Sequence, residues 1–508
     1  MVLNGSNMLI EAPFTLVVEL AYCTRMYETF VGTSLVSLKY TAIPPSAVPT
    51  GTHVCASAGT AMSRTATARL HKARCLFMAF SSVKWYRLVT RPTIISYTQE
   101  SCQKRGFCAS ERKNWCKFAN RGDDGVIRRR KTMPGVHNGI DVLIDQGARA
   151  LDGLRVGLIT NHTGLTRAGV PTWRALLDVG VQLSALFSPE HGFAGVVDEP
   201  VKDARHPETG LPIFSLYGEH KSPTAEMLRH VDALVFDIQD IGCRFYTYIS
   251  TLGLAMESSA QYGVRLVVLD RVNPINGVAV EGSLTDKDKH SFVAYHSIPL
   301  RHGMTVGELA KLFQAERAPR CDLQVVACGG WKREMWYDTT GLRWVNPSPN
   351  MRSLTSATLY PGVGLLEFTN VSVGRGTDAP FEVFGAPWLN ASALCEHLLK
   401  RNLPGFACMP VQFTPSASKF AGEVCQGLRF TVVDRRRFQP VRLGVELACA
   451  LRRLHPREWA YERLITLLTD GKAYHMVEKG ADADEVWAHM QSQAGAFRRH
   501  RAKYLLYR

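Results

Sequence analysis

Four short apolar runs, each ending in hydrogen-bonding or titratable side chains, constrain the fold of this chain more than any other feature. Val156-Gly157-Leu158-Ile159-Thr160 leads into Asn161-His162, and Ala185-Leu186-Phe187 into Ser188-Pro189-Glu190-His191-Gly192. Ala233-Leu234-Val235-Phe236 leads into Asp237-Ile238-Gln239-Asp240, and Leu266-Val267-Val268-Leu269 into Asp270-Arg271-Val272-Asn273. The intervening segments Pro171 to Val179, Thr224 to His230 and Leu252 to Tyr262 read as helices, the first two opened by Pro or Pro-Thr. Continuous apolar strands alternating with helical patterns predict an α/β fold with a parallel sheet covered on both faces. In such sheets ligands bind beyond the carboxyl ends of the strands, so the four polar tips are expected to converge on one edge.

The formal net charge of +15 would suggest a nucleic-acid partner if it were spread evenly. It is not: residues 1–132 carry 19 Lys and Arg against 7 Asp and Glu, so +12 of the excess lies in the leader. That leader has no sustained period of 2 or 3.6 and closes on Arg128-Arg129-Arg130-Lys131. A basic tail and a targeting segment are two readings, but Glu11 and Glu19 interrupt its apolar stretch and no basic residue precedes it. The simplest expectation is that the working protein starts at Met133, with residues 1–132 a disordered leader or no part of it, and that no nucleic acid is bound.

The 13 cysteines include no Cys-x-x-Cys pair, which points to reduced thiols; Cys102, Cys108 and Cys116 match no zinc spacing. No apolar run reaches the roughly 18 to 20 residues needed to span a bilayer. The expectation is a soluble, cytoplasmic protein without an export signal, a periplasmic or secreted location being the alternative.

From about Gly139 to Arg508 the chain resembles the exo-β-N-acetylmuramidase (NamZ-like) family. The resemblance is carried by ordered motifs: Ile159-Thr160-Asn161-His162-Thr163-Gly164, Phe187-Ser188-Pro189-Glu190-His191-Gly192, and Thr209-Gly210-Leu211-Pro212 with Ser215-Leu216-Tyr217-Gly218. They continue through Val235-Phe236-Asp237-Ile238-Gln239-Asp240-Ile241-Gly242, Arg244-Phe245-Tyr246-Thr247-Tyr248, Asp270-Arg271-Val272-Asn273-Pro274 and Asn346-Pro347-Ser348-Pro349-Asn350. Tyr360-Pro361-Gly362, Glu367, Asn370, Gly374-Arg375-Gly376-Thr377 and Phe384-Gly385-Ala386-Pro387-Trp388 complete the set. The resemblance implies a Rossmann-like amino-terminal domain and a smaller α/β carboxy-terminal domain. It also implies removal of terminal β-linked N-acetylmuramic acid from peptidoglycan fragments, without a cofactor or metal. The Pro-Gly pair at 361–362 suggests a boundary there, dividing residues 133–360 from 361–508; residues 1–132 lie outside the resemblance.

Glycoside hydrolysis needs an acid for the leaving oxygen and usually a second carboxylate. Glu190 suits the first role, because burial beside Phe187 and Phe193 would favour its protonated form; the alternative is a structural carboxylate. For the second role Asp237, Asp240, Asp270, Glu281 and Glu367 are all open, with Asp240 ranked first. The 2-acetamido oxygen of the sugar is a further route, in which Asp240 need only orient the amide. A muramic acid carries a lactyl carboxylate, and Arg244 and Arg375, each beside glycine, suit a two-pronged grip on it; ion pairing with Asp237 or Asp240 is the competing reading. His191, Asn161, Asn273 and Asn350 are candidates for hydroxyl and acetamide recognition, His162 a weaker one, and Tyr246, Tyr248, Trp331 and Trp388 for a sugar face. Three other classes were weighed. A nicotinamide enzyme would need Gly-x-Gly-x-x-Gly, whereas Gly157, Gly164 and Gly169 have the wrong spacing. A metal-dependent hydrolase would use Asp237, Asp240, His162 and His191 but lacks a paired-histidine motif, and a non-catalytic glycan-binding protein would not depend on Glu190.

Overall fold

The computed structural model describes residues 135–195 and 202–508, so the reading of residues 1–132 as a leader falls outside the described residues. The sheet expected from the apolar runs is present and has seven strands. These are β1 (Arg155–Thr160), β2 (Gln182–Ser188), β3 (Ala204–Arg205), β4 (Pro212–Ser215), β5 (Ala233–Asp237), β6 (Arg265–Leu269) and β7 (Leu323–Val326). Their order is β3-β4-β2-β1-β5-β6-β7, parallel throughout except for the two-residue edge strand β3. The chain therefore winds outward from β1 in both directions, and the order reverses between β1 and β5.

The central strands are apolar through most of their length because both faces are covered. Ile159, Phe187, Phe236 and Val268 enter one core, while Leu158, Leu186, Val235 and Val267 point into a second on the opposite face. This is the period-2 alternation of a strand with no solvent side. Helices α1 (Gly139–Asp145), α2 (Thr172–Asp178), α3 (Tyr248–Tyr262) and α4 (Val306–Glu316) supply the cover. Two of the three expected helices are found as α2 and α3; Thr224 to His230 forms turns instead, with only isolated bonds such as Leu228 N to Thr224 O at 3.1 Å.

The second sheet is antiparallel, with β8 (Val383–Ala386), β9 (Phe406–Phe413) and β10 (Cys425–Val432) in the order β8-β10-β9. It packs with α5 (Leu354–Val363), α6 (Ala391–Lys400), α7 (Pro440–Leu454), α8 (Ile465–Leu468), α9 (Gly471–Glu478) and α10 (Ala483–His500). The Tyr360-Pro361-Gly362 stretch is not a turn; it is the last turn of α5. Its glycine is required by packing: a Cβ on Gly362 would lie 1.8 Å from the Pro440 carbonyl oxygen, and one on Gly444 of α7 would lie 2.6 Å from the Gly362 carbonyl oxygen. The core that holds Ile159 and Phe236 also holds Phe384, Leu428 and Leu447, so one apolar interior serves both sheets. The chain end returns to the first sheet, where Tyr507 donates to Asp270 and accepts from the Cys328 amide. The seven cysteines among the described residues are free thiols.

Candidate active site

A cavity of about 590 Å³ opens beyond the carboxyl ends of β2 and β5 and is closed by segments of the second sheet. Glu190 reaches it from the loop after β2. His191 and Gly192 follow in the left-handed region, at φ 70° and 75°, and turn the chain back so that Glu190 and His191 both face the opening. The Glu190 carboxylate accepts a hydrogen bond from the hydroxyl of Thr247, the residue that caps the N-terminus of α3. Phe187 and Phe193 are not its neighbours in the wall: Phe187 is in the core against Phe214 at 5.5 Å, and Phe193 meets His206 edge-on. The aromatic surface at the cavity comes instead from Phe245, Tyr246, Tyr248, Tyr360 and Phe381. Burial pushes the Tyr246 and Tyr248 phenols far above their ordinary range, so both stay protonated donors.

The opposite wall is acidic and basic together. Of the five carboxylates considered for the second role, only Glu367 lines the cavity. It follows α5 and pairs with the Arg375 guanidinium, while Lys419 from the β9–β10 loop donates to the Glu367 main-chain carbonyl. Gly374 and Gly376 have φ of 82° and 78°, but they accommodate protein rather than ligand: a Cβ on Gly376 would lie 2.3 Å from the Ala417 carbonyl oxygen. Asn350, Tyr246, His191 and Arg375 are thus brought to the same cavity as Glu190, together with Thr247, Ser348 and Lys419, which sequence reasoning did not single out.

The other expected residues are structural. Asp240 is 5% exposed and outside the cavity lining; its Oδ2 accepts from the Gly242 amide at 2.7 Å and lies 3.6 Å from His302 Nε2. Asp237 forms a two-pronged ion pair with Arg271 at 2.6 and 2.9 Å and accepts from the Thr172 hydroxyl. Asp270 accepts from Thr305 Oγ1 and the Gly307 amide, both at 2.7 Å, and Glu281 is paired with Arg301 at 2.7 Å. Arg244, expected to bind the lactyl carboxylate, is fully buried. Its guanidinium donates to the carbonyls of Ser283, Ile298, Leu467 and Leu468 at 2.7–3.0 Å, pinning α8 to the loops of the first sheet. Burial draws it down to about 10, still charged at neutral pH. Asn161 Oδ1 closes a turn onto the Thr163 amide and hydroxyl, and Asn273 bonds the Met304 carbonyl and the Ile275 amide. His162 bonds the Asn346 carbonyl at 2.7 Å, Trp331 packs on Tyr507 and Trp388 on His455. A Cβ on Gly242 would come within 2.6 Å of the Asn273 side chain, so glycine is needed there for the two segments to pack.

Of the four strand tips only the one after β2 therefore lines the cavity; after β5 it is the later segment Phe245–Tyr248 that does so, and the crevice between β1 and β5 holds a small void of about 90 Å³. Among the described residues no three His, Cys, Asp or Glu side chains gather as metal ligands, and no helix is long and apolar enough to cross a membrane.

Residues 156–355 match the N-terminal domain of the exo-β-N-acetylmuramidase NamZ family, and residues 358–507 match its C-terminal domain. A peptidoglycan β-N-acetylmuramidase NamZ of Bacillus subtilis (strain 168) is 41% identical over 382 residues, covering 74% of this chain and 92% of the relative. Two crystal structures of DUF1343 family proteins from Bacteroides fragilis are similar to this fold. One has a TM-score of 0.70 at 37% identity and the other 0.61 at 29%, each covering 73% of this chain and 99% of its own.

Proposed function

This chain belongs to the exo-β-N-acetylmuramidase NamZ family, and from that premise we propose that it is an exo-acting glycosidase releasing terminal β-linked N-acetylmuramic acid from peptidoglycan fragments, with Glu190 as the acid. The observation that supports the assignment of residues is the shared cavity, which Glu190 from the first sheet and Glu367 from the second half of the chain both line. Its volume falls within the roughly 300–1,000 Å³ of small-molecule sites and suits one terminal sugar with its lactyl arm.

In the reaction the bond between the anomeric carbon and the bridging oxygen breaks. Glu190 gives its proton to that departing oxygen, and a water molecule ends with its hydroxyl on the anomeric carbon and its proton on the enzyme. Thr247 holds the Glu190 carboxyl in one orientation, which positions the proton for transfer. Glu367, held in place by the adjacent Arg375, supplies negative charge for the positive character that develops on the sugar ring. The 2-acetamido group of the substrate lies between the two carboxylates in this arrangement and is oriented by Asn350 and Tyr246. The division into residues 133–360 and 361–508 gives each half one of the two carboxylates.

The test uses the full chain with a chromogenic β-N-acetylmuramide and the matching β-N-acetylglucosaminide. Release from the muramide alone, with free N-acetylmuramic acid identified by mass spectrometry, is expected. Cleavage of neither sugar, or of the glucosaminide in preference, overturns the reading.

A further inference from the structure

Charge at the cavity is unequally matched. Four ionisable side chains of fixed sign line it: Glu190, Glu367, Arg375 and Lys419. Arg375 is neutralised by its contact with Glu367. An acid ready to donate is itself neutral, so Glu190 adds no charge in the form that starts the reaction. Lys419 is what remains. Its ammonium is half-buried, donates to a main-chain carbonyl of Glu367, and forms no ion pair among the described residues. Arg463, stacked over Phe368 with its guanidinium carbon 5.0 Å from the ring centre, adds further positive potential beside it. The backbone holds Lys419 inward at some cost: Ser418 and Phe420 on either side of it are both left-handed, at φ 69° and 60°, which non-glycine residues seldom adopt.

Resting on the assignment of a muramic acid substrate, we infer that Lys419 is the specificity-determining cation, receiving the lactyl carboxylate that distinguishes this sugar from glucosamine. Arg375 then serves to orient Glu367 and not to read the substrate. One ammonium that forms no ion pair among the described residues and one substrate carboxylate bring the occupied cavity to neutrality, whereas a glucosaminide leaves the half-buried charge unmatched.

The experiment compares a chromogenic β-N-acetylmuramide with its lactyl methyl ester, which has the same ring and leaving group but no charge. In the wild-type chain kcat/KM is expected to favour the acid by about tenfold or more, as for a charge-assisted hydrogen bond. Lys419→Met is expected to lower the acid selectively, bringing the ratio to within about threefold of one, and Lys419→Arg to retain most of the preference. A wild-type ratio near one overturns the inference without reference to any variant, so a poorly folding Lys419→Met does not decide the matter. So does equal loss on both substrates in Lys419→Met, the result of a purely structural clip, or collapse of the ratio in Arg375→Met but not in Lys419→Met. If the wild type cleaves neither compound the underlying assignment fails with it; if it cleaves both equally only the role of Lys419 fails.

Discussion

Asp237 and Glu190 stand at the carboxyl ends of the two parallel strands that flank β1, on the same edge of one sheet, yet their surroundings differ completely. Asp237 meets a guanidinium, a hydroxyl and no solvent, being 0% exposed. Glu190 meets one hydroxyl and an open cavity. A carboxylate at a strand end is thus equally suited to locking the crossover loops together or to chemistry, and what separates the two is whether a fixed cation has already claimed it. The largest effect that distinguishes them is kinetic. Glu190→Gln is expected to lower kcat on the muramide by about 10²- to 10⁴-fold, the usual contribution of a positioned acid, while leaving thermal unfolding close to wild type. Turnover within a few-fold of wild type would remove Glu190 from the mechanism.

Asp237→Ala is expected to do the reverse. Removing one member of a buried ion pair strands the Arg271 guanidinium and costs roughly 3–5 kcal/mol of stability. Denaturant unfolding should show the loss, with kcat per folded molecule almost unchanged. A variant with intact stability and lost turnover would move Asp237 from the scaffold to the active site.

The parallel sheet was legible because its central strands carry near-continuous apolar runs, the pattern of a sheet covered on both faces. Glu190 was legible for a related reason, as the titratable group just beyond a buried strand. Glu367 could be named only as one of five carboxylates and Lys419 not at all, since their arrival at the cavity of Glu190 depends on how a second sheet far along the chain packs on the first. Arg244 shows the opposite failure. Glycine and tyrosine beside an arginine suggest a ligand grip, but four carbonyl oxygens from two distant segments occupy its guanidinium, and no local pattern encodes them. Pro361-Gly362 lies in a helix and not a turn, because a glycine needed for helix contact reads the same in sequence as one needed for a turn.

Between these extremes lies Glu367, a carboxylate that has a cation yet still faces the cavity. Glu367→Gln is expected to reduce kcat by about one to two powers of ten, less than Glu190→Gln, because it removes electrostatic support and not the transferred proton. The affinity for free N-acetylmuramic acid should change far less than kcat. A fall in binding equal to the fall in kcat would make Glu367 a ground-state contact instead.

The smallest effect comes from Asp270, the strand-end carboxylate after β6, which has donors around it but no cation in contact. Burial outweighs those hydrogen bonds and pushes it up to about 7, against an ordinary value near 3.9. Between about pH 4 and pH 7 the folded chain therefore holds a proton here that the unfolded chain has released. Stability from this group is complete below that window and declines as pH rises through it, on the order of 1 kcal/mol per pH unit at the steepest. Asp270→Asn carries no such charge. Although it disturbs the bonds from Thr305, Gly307 and Tyr507, its deficit relative to wild type should shrink as pH is raised from 5 to 8 in urea titrations. A deficit for Asp270→Asn that stays constant with pH would mean that the folded chain does not hold Asp270 protonated, and that the hydrogen bonds at β6 outweigh its burial.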